Sequence, residues 1–198
     1  MKDSTKSGQP IIQQGQGIDI AAVLETRNIN FDKAFTLEYC QEVIEVLNKV
    51  QAYDSLVGQE KYIRFTLNTP GGSIFALFGL IEKIEALKEL GYTIHTHVAG
   101  MAASCGFILY ISGNYRTISQ FGYLLNHQGS SMTHGTVRDM EISLDLTKKL
   151  DKQLNEYIKQ NTELSDDEID RPYRTNTDVW YTSQEALDLK LASKIVNY

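Results

Sequence analysis

Two periodicities alternate along this chain, and that alternation constrains its fold more than any other feature. Apolar residues at every second position, Ile63, Phe65 and Leu67 within 62–67 and again from Ile94 to Val98, fit half-buried strands. Between them lie helical spacings: Leu37, Val43, Ile44, Leu47 and Val50 within 36–50, then Ile74, Leu77, Phe78, Ile81, Ile84 and Leu87, stopped by Gly91. Short strands are predicted at 115–118, 123–126 and 195–196. A long helix is predicted over 136–160, with Val137, Met140, Leu144, Leu150, Leu154, Tyr157 and Ile158 spaced for burial. Thr182-Ser183-Gln184-Glu185 reads as a capping box that opens a further helix. Strands that alternate with helices imply βαβ units and a mostly parallel sheet, hence an α/β fold.

A length of 198 residues fits one such domain, over 18–198. Residues 1–17 are rich in Gly, Gln, Ser and Lys and lack periodicity, so a flexible arm is expected there. The net charge of -6 argues against a nucleic-acid partner, whose phosphates need clustered Lys and Arg. No run approaches the roughly 20 apolar residues that span a bilayer, and the start lacks the apolar core of a secretory signal. Two cysteines, Cys40 and Cys105, are too few for a disulfide framework or a zinc site. A cytoplasmic chain without metal or cofactor is expected.

The segment most suited to chemistry is Gly100-Met101-Ala102-Ala103-Ser104-Cys105-Gly106. A strand ending at Gly100 and turning through small residues into a helix near Ser104 would expose that hydroxyl beside free backbone N–H groups. Nucleophilic serines need such a setting, with an adjacent base. The competing reading makes Ser104 an ordinary helix N-cap. Of the four histidines, His95 and His97 share one face of a strand and read as an edge-exposed pair; His134 lies in a Ser/Thr/Gly loop. His127 ends the apolar strand 123–126, where α/β proteins place their chemistry, and is the best candidate base. The orienting acid cannot be chosen from spacing, because 25 Asp and Glu residues compete. Asp178, between a turn-like Arg174-Thr175-Asn176-Thr177 and the apolar Val179-Trp180-Tyr181, is one candidate; an Asn/Asp turn is the plainer reading of it.

Several segments together resemble the Clp protease proteolytic-subunit family of serine peptidases, over roughly 18–196. Asn68-Thr69-Pro70-Gly71-Gly72 is similar to the family's Asn-Ser-Pro-Gly-Gly turn, and the Ser104 segment to its Gly-x-Ala-Ala-Ser-Met-Gly motif. Leu124-Leu125-Asn126-His127-Gln128 resembles its His-Gln strand end, and Thr177 to Ala186 its Arg-Asp-x-Phe-x-Ser-x-x-Glu-Ala stretch. The resemblance implies Ser104 as nucleophile, His127 as base and Asp178 as orienting acid, with the N–H groups of Gly72 and Cys105 as the oxyanion hole. It also implies a crotonase-like spiral of ββα units with a long handle helix over 136–160. Activity would be endopeptidase cleavage of unfolded polypeptides, in a homo-oligomeric ring of one or two heptamers.

Three departures stand out. Arg64 and Thr66 occupy positions where the family carries the aromatics that receive an AAA+ ATPase partner. Gly129-Ser130-Ser131 replaces the family's Pro and Gly-Gly, and Thr177 replaces its Arg before the acid. The first makes that ATPase an uncertain partner and the third the double ring. Remaining alternatives are a non-catalytic or acyl-CoA-processing member of the same fold, and a viral maturation protease built on it.

Overall fold

The strand-period runs pair into one seven-stranded sheet. The computed structural model describes residues 17–58, 60–130 and 133–197, so the arm expected over 1–17 lies, except for Gly17, outside the described residues. The chain order is α1 (Ile20–Thr26), β1 (Asn28–Phe31), α2 (Leu37–Val57), β2 (Tyr62–Thr69), α3 (Ile74–Glu89), β3 (Thr93–Ala103) and α4 (Cys105–Ile111). There follow β4 (Tyr115–Ser119), β5 (Tyr123–Asn126), α5 (Val137–Asn161), α6 (Asp166–Ile169), α7 (Arg171–Thr175), β6 (Val179–Thr182), α8 (Ser183–Asp188) and β7 (Lys194–Val196). Helix starts follow their caps: Thr36, Ser73 and Thr182 each accept a backbone N–H two or three residues into the helix they open.

Strands β1, β2, β3, β4 and β7 lie side by side and parallel. The long strand β3 is shared: His95–Val98 pairs with β4, whereas Met101–Ala103 pairs with β5. Strand β6 then closes antiparallel on β5. The sheet therefore divides along β3, and its C-terminal end passes into a separate pair of short strands. That division is what positions the site.

One face of the sheet is the core. Ile63, Phe65 and Leu67 of β2 and Ile94 and Val98 of β3 are fully buried with Val43, Leu47, Leu77, Ile84 and Phe107 from α2, α3 and α4. Each such side chain stabilises by roughly 1.5–3 kcal/mol relative to exposure. Leu37 departs from its expected place on the buried face: it is the first residue of α2 and is 64% exposed.

The opposite face is polar. His95 and His97 were expected at an exposed edge, but β3 is central, with β2 and β4 on either side, and both rings are buried. Tyr62 Oη lies 2.7 Å from His95 Nδ1, and Thr117 Oγ1 lies 2.8 Å from His95 Nε2 and 2.9 Å from His97 Nδ1. Burial first, and then the Arg64 guanidinium, pushes both rings down to about 4, so both are neutral at pH 7.

Arg27 and Asp54 anchor the other end of the core. The guanidinium makes two bonds to the carboxylate, 2.6 and 3.0 Å, and Tyr92 Oη donates to the same carboxylate at 2.9 Å. Both ionic side chains are almost completely buried. Asp54→Ala would leave the cation unpaired, and we expect it to destabilise the fold by about 3–5 kcal/mol. Urea unfolding at fixed protein concentration checks this; an unchanged midpoint would contradict it.

The predicted long helix is present as α5, opened by a capping box in which Thr136 accepts from Asp139 N–H and Asp139 accepts from Thr136 N–H. Of its apolar residues only Ile158 is buried, while Val137, Met140, Ile142, Leu144 and Leu146 are 45–73% exposed. Among the described residues, the first half of α5 thus leaves these apolar side chains largely uncovered within one chain. Among the described residues, no helix is long and apolar enough to cross a membrane.

Candidate active site

Strand register brings the three motif residues to one edge of the sheet. Ala103, the last residue of β3, pairs with Leu125 of β5, and Leu125 pairs with Trp180 of β6. Asn126 pairs with Val179, so His127 leaves β5 just where Asp178 enters β6. Ser104 follows Ala103 directly. Three segments far apart in sequence thus end within one residue of each other in register.

Strand β3 continues to Ala103, three residues beyond the Gly100 end expected from the sequence, because Met101, Ala102 and Ala103 have β5 to pair with. The chain then turns sharply. Ser104 has φ 57° and ψ −119°, a left-handed conformation that a serine rarely adopts and that costs roughly 1–3 kcal/mol. The turn is held by Ser104 N–H donating to the Leu125 carbonyl at 3.0 Å and by Phe107 N–H donating to the Ser104 carbonyl at 2.9 Å. The Ser104 side chain makes no capping bond to α4, so its hydroxyl is not doing the ordinary work of an N-cap. At the start of α4 the Cys105 N–H has no partner within the helix.

The Pro70-Gly71-Gly72 turn packs directly on this serine. A Cβ on Gly71 (φ 95°) would fall 2.6 Å from Ser104 Cβ and 2.7 Å from the Ala103 carbonyl oxygen. One on Gly72 (φ 147°) would fall 2.6 Å from the Phe35 carbonyl oxygen. Only glycine allows this approach. Phe35 N–H donates to the Gly71 carbonyl and Ser73 N–H to the Phe35 carbonyl, both at 2.8 Å, which leaves the Gly72 N–H out of that bridge. Phe35 is thus a positioning residue that the sequence reading missed; an isolated bridge residue has no periodic signal.

Cys105 is buried, and its thiol donates to the Gly72 carbonyl at 3.2 Å. Burial pushes that thiol up to about 11, which keeps it protonated. Its sulfur therefore braces the Gly-Gly turn against α4.

His127 and Ser104 line the same two cavities. The smaller, about 30 Å³, is closed by apolar Ile74, Ile108, Leu154 and Ile158 with Tyr173, and Asn126 also lines it. Asn126 is buried, and its Nδ2 has no hydrogen-bond partner. The larger cavity, about 280 Å³, runs from Gly72 past Ser104 and His127 to Leu146 and Leu150 of α5. The residues after His127 are tied down: Gln128 Nε2 donates to the Pro172 carbonyl at 3.1 Å, and Gly129 N–H to Asp151 Oδ1 at 3.2 Å. Helices α6 and α7, unmarked in the sequence reading, return the chain to Asp178.

His127 Nδ1 lies 3.7 Å from Asp178 Oδ1, within ion-pair range but longer than a hydrogen bond, and the two side chains are 27% and 60% exposed. Catalytic contacts of this kind often tighten only when substrate is bound. His134 is apart from this cluster, in the loop before α5, and Asp139 and Asp145 lie on the exposed part of α5, Asp145 paired with Lys149.

The fold is that of a peptidase. The chain belongs to the Clp protease family, whose profile matches residues 13–198. It is 33% identical over 140 residues to the ATP-dependent Clp protease proteolytic subunit 2 of Bifidobacterium longum, covering 69% of this chain and 65% of that protein. It is 29% identical over 180 residues to proteolytic subunit 1 of Protochlamydia amoebophila, covering 89% and 83%, and 25% identical over 199 residues to subunit 2 of Treponema pallidum, covering 98% and 94%.

Proposed function

We propose that this chain is an endopeptidase that cleaves unfolded polypeptides through Ser104, His127 and Asp178. The observation that carries this is Ser104 itself: a strained, uncapped serine at a strand-to-helix turn, sharing its cavities with His127. In the proposed reaction Ser104 Oγ attacks the peptide carbonyl carbon and His127 Nε2 takes the hydroxyl proton. The carbonyl oxygen becomes an oxyanion, which the Gly72 and Cys105 N–H groups receive. His127 then protonates the leaving amine, and the acyl-enzyme forms as the peptide C–N bond breaks. A water, deprotonated by His127, adds to the ester and releases the carboxylic acid and Ser104. Asp178 holds Nδ1–H and favours the imidazolium. The substrate lies extended past the Gly71-Gly72 turn, pairing by main-chain hydrogen bonds.

Labelling with a fluorophosphonate followed by peptide mapping tests the assignment. The adduct is expected on Ser104; an adduct elsewhere, or none, overturns it. Cys105→Ala removes one neutral hydrogen bond, so the expected loss of activity is at most about fivefold, or about 1 kcal/mol. Iodoacetamide should leave the parent protein active, and inactivation by it would move the nucleophile to Cys105.

Self-association is part of the proposal. Val137, Met140, Ile142, Leu144 and Leu146 of α5 stand 45–73% exposed in one chain, and clustered exposed apolar side chains of this kind mark association surfaces. We expect light scattering to give a ring-sized oligomer and Ile142→Glu, which is 59% exposed in one chain, to lower its mass. A monomeric parent protein would refute this. The relatives' names describe ATP-dependent proteases. For this chain, Arg64 and Thr66 make poor receivers for an apolar ATPase loop, so cleavage of short peptides unaided is the expected activity.

A further inference from the structure

Strand β5 carries an amide where its pattern calls for an apolar side chain. Successive strand residues point to opposite faces, so Asn126 stands on the same face as Leu124, which is fully buried in the core. Asn126 is itself only 7% exposed, and its Nδ2 has no hydrogen-bond partner. A buried amide in that state costs stability, because it has given up water without gaining a bond. It lines the cavity of about 30 Å³ that also touches Ser104 and His127.

The other polar groups of that lining are occupied. The Cys105 thiol donates to the Gly72 carbonyl, Asn155 Nδ2 donates to Asp170 Oδ1 at 3.5 Å, and the Tyr173 hydroxyl is engaged by the Asp151 carboxylate. Ile74, Ile108, Leu154 and Ile158 supply the apolar wall, and among the described residues no Asp, Glu, Lys or Arg lines it.

Covalent geometry narrows what enters. In the reaction proposed above, the attacked carbonyl carbon is bonded to the Cα of the residue on the acyl side, so that residue's side chain must start beside Ser104 Oγ. A cavity of about 30 Å³ admits two or three water-sized groups, at roughly 10–15 Å³ each, so the guest is short. A short side chain that satisfies an amide in both directions is another primary amide: its oxygen accepts from Asn126 Nδ2 while its nitrogen donates to Asn126 Oδ1. Leucine, of nearly the same shape as asparagine, would suit the apolar wall and leave Asn126 unpaired. Aspartate would accept the same bond only by burying a charge among isoleucines.

We propose that Asn126 makes this cavity an amide-selective pocket, so that the chain cleaves the peptide bond following an asparagine in preference to one following leucine or aspartate. The inference rests on the reading of Ser104 as nucleophile.

Three blocked peptides, identical except for Asn, Leu or Asp before one cleavable bond, are compared by kcat/KM, with the cleavage site located by mass spectrometry. The Asn peptide is expected to be at least about tenfold better than either twin, since one twin leaves a buried amide unpaired and the other buries a charge. Asn126→Leu should reverse the order, lowering kcat/KM for the Asn peptide and raising it for the Leu peptide; a merely structural role would lower all three together. Asn126→Ala, which adds no bulk to the cavity, should likewise lose the preference. Independently of turnover, Asn126→Leu should raise the urea midpoint, because an unpaired amide leaves the core. Equal cleavage of the Asn and Leu peptides, a preference that survives in both variants, or a midpoint that fails to rise would overturn the inference and leave Ser104 its role. So would cleavage of none of the three by a chain whose Ser104 takes the fluorophosphonate. No cleavage together with no adduct on Ser104 would overturn the nucleophile reading, and this inference with it.

Discussion

Ser104→Ala is expected to lower kcat for a short fluorogenic peptide by about a millionfold while leaving the fold and the oligomer unchanged, the scale seen when a triad nucleophile is removed from a serine peptidase. The structural basis is local. The Ser104 hydroxyl makes no capping bond that alanine would lose, and the turn is held by main-chain bonds through the Ser104 N–H and carbonyl. Alanine keeps both and relieves nothing of the strained φ, so stability should shift little. What remains is binding and oxyanion-hole catalysis alone. Stopped assays with active-site titration are required, because a trace of parent enzyme would dominate the residual rate. Turnover within tenfold of the parent would remove Ser104 from the mechanism.

Asp178→Asn is expected to lower kcat by about 10²–10³, below the roughly 10⁴ known for a buried orienting aspartate. Two observations set the smaller figure. Asp178 is 60% exposed, and it approaches His127 Nδ1 only to 3.7 Å, so water screens part of its effect. The amide can present its N–H to Nδ1, which favours the tautomer with the proton on Nε2 and disables that nitrogen as a base. KM should barely move, since Asp178 lines neither cavity at Ser104. A loss confined to KM, or near-normal kcat, would assign the acid to another residue.

Strand β2 and the first part of β3 were legible because alternation of apolar residues is a local signal, and β4 and β5 as short strands. Helices α2, α3 and α5 were legible for the same reason. Strand β1 was not: Asn28-Ile29-Asn30-Phe31 is four residues long, and its strand character comes from pairing with Arg64 to Leu67 of β2. The extension of β3 to Ala103 likewise depends on β5. The buried state of His95 and His97 could not be read from their own strand, because centrality in a sheet is a property of its neighbours.

The site divides in the same way. Small residues around Ser104, the Pro-Gly-Gly turn and the position of His127 at a strand end are written in sequence, since each reflects what the local backbone must do. Sequence alone could not tell a capping serine from a free one; that difference is a φ of 57° enforced by the Leu125 carbonyl on another strand. Nor could spacing single out Asp178 among 25 acids; its place beside His127 comes from the antiparallel register of β5 and β6. Phe35 and Asp151 carry no signature in the sequence and hold the loops beside Ser104 and His127 in place. Local periodicity marked most of the elements, and a run of small residues marked the candidate nucleophile. Strand pairing between distant segments, a long-range effect that no short window contains, decided which residues meet.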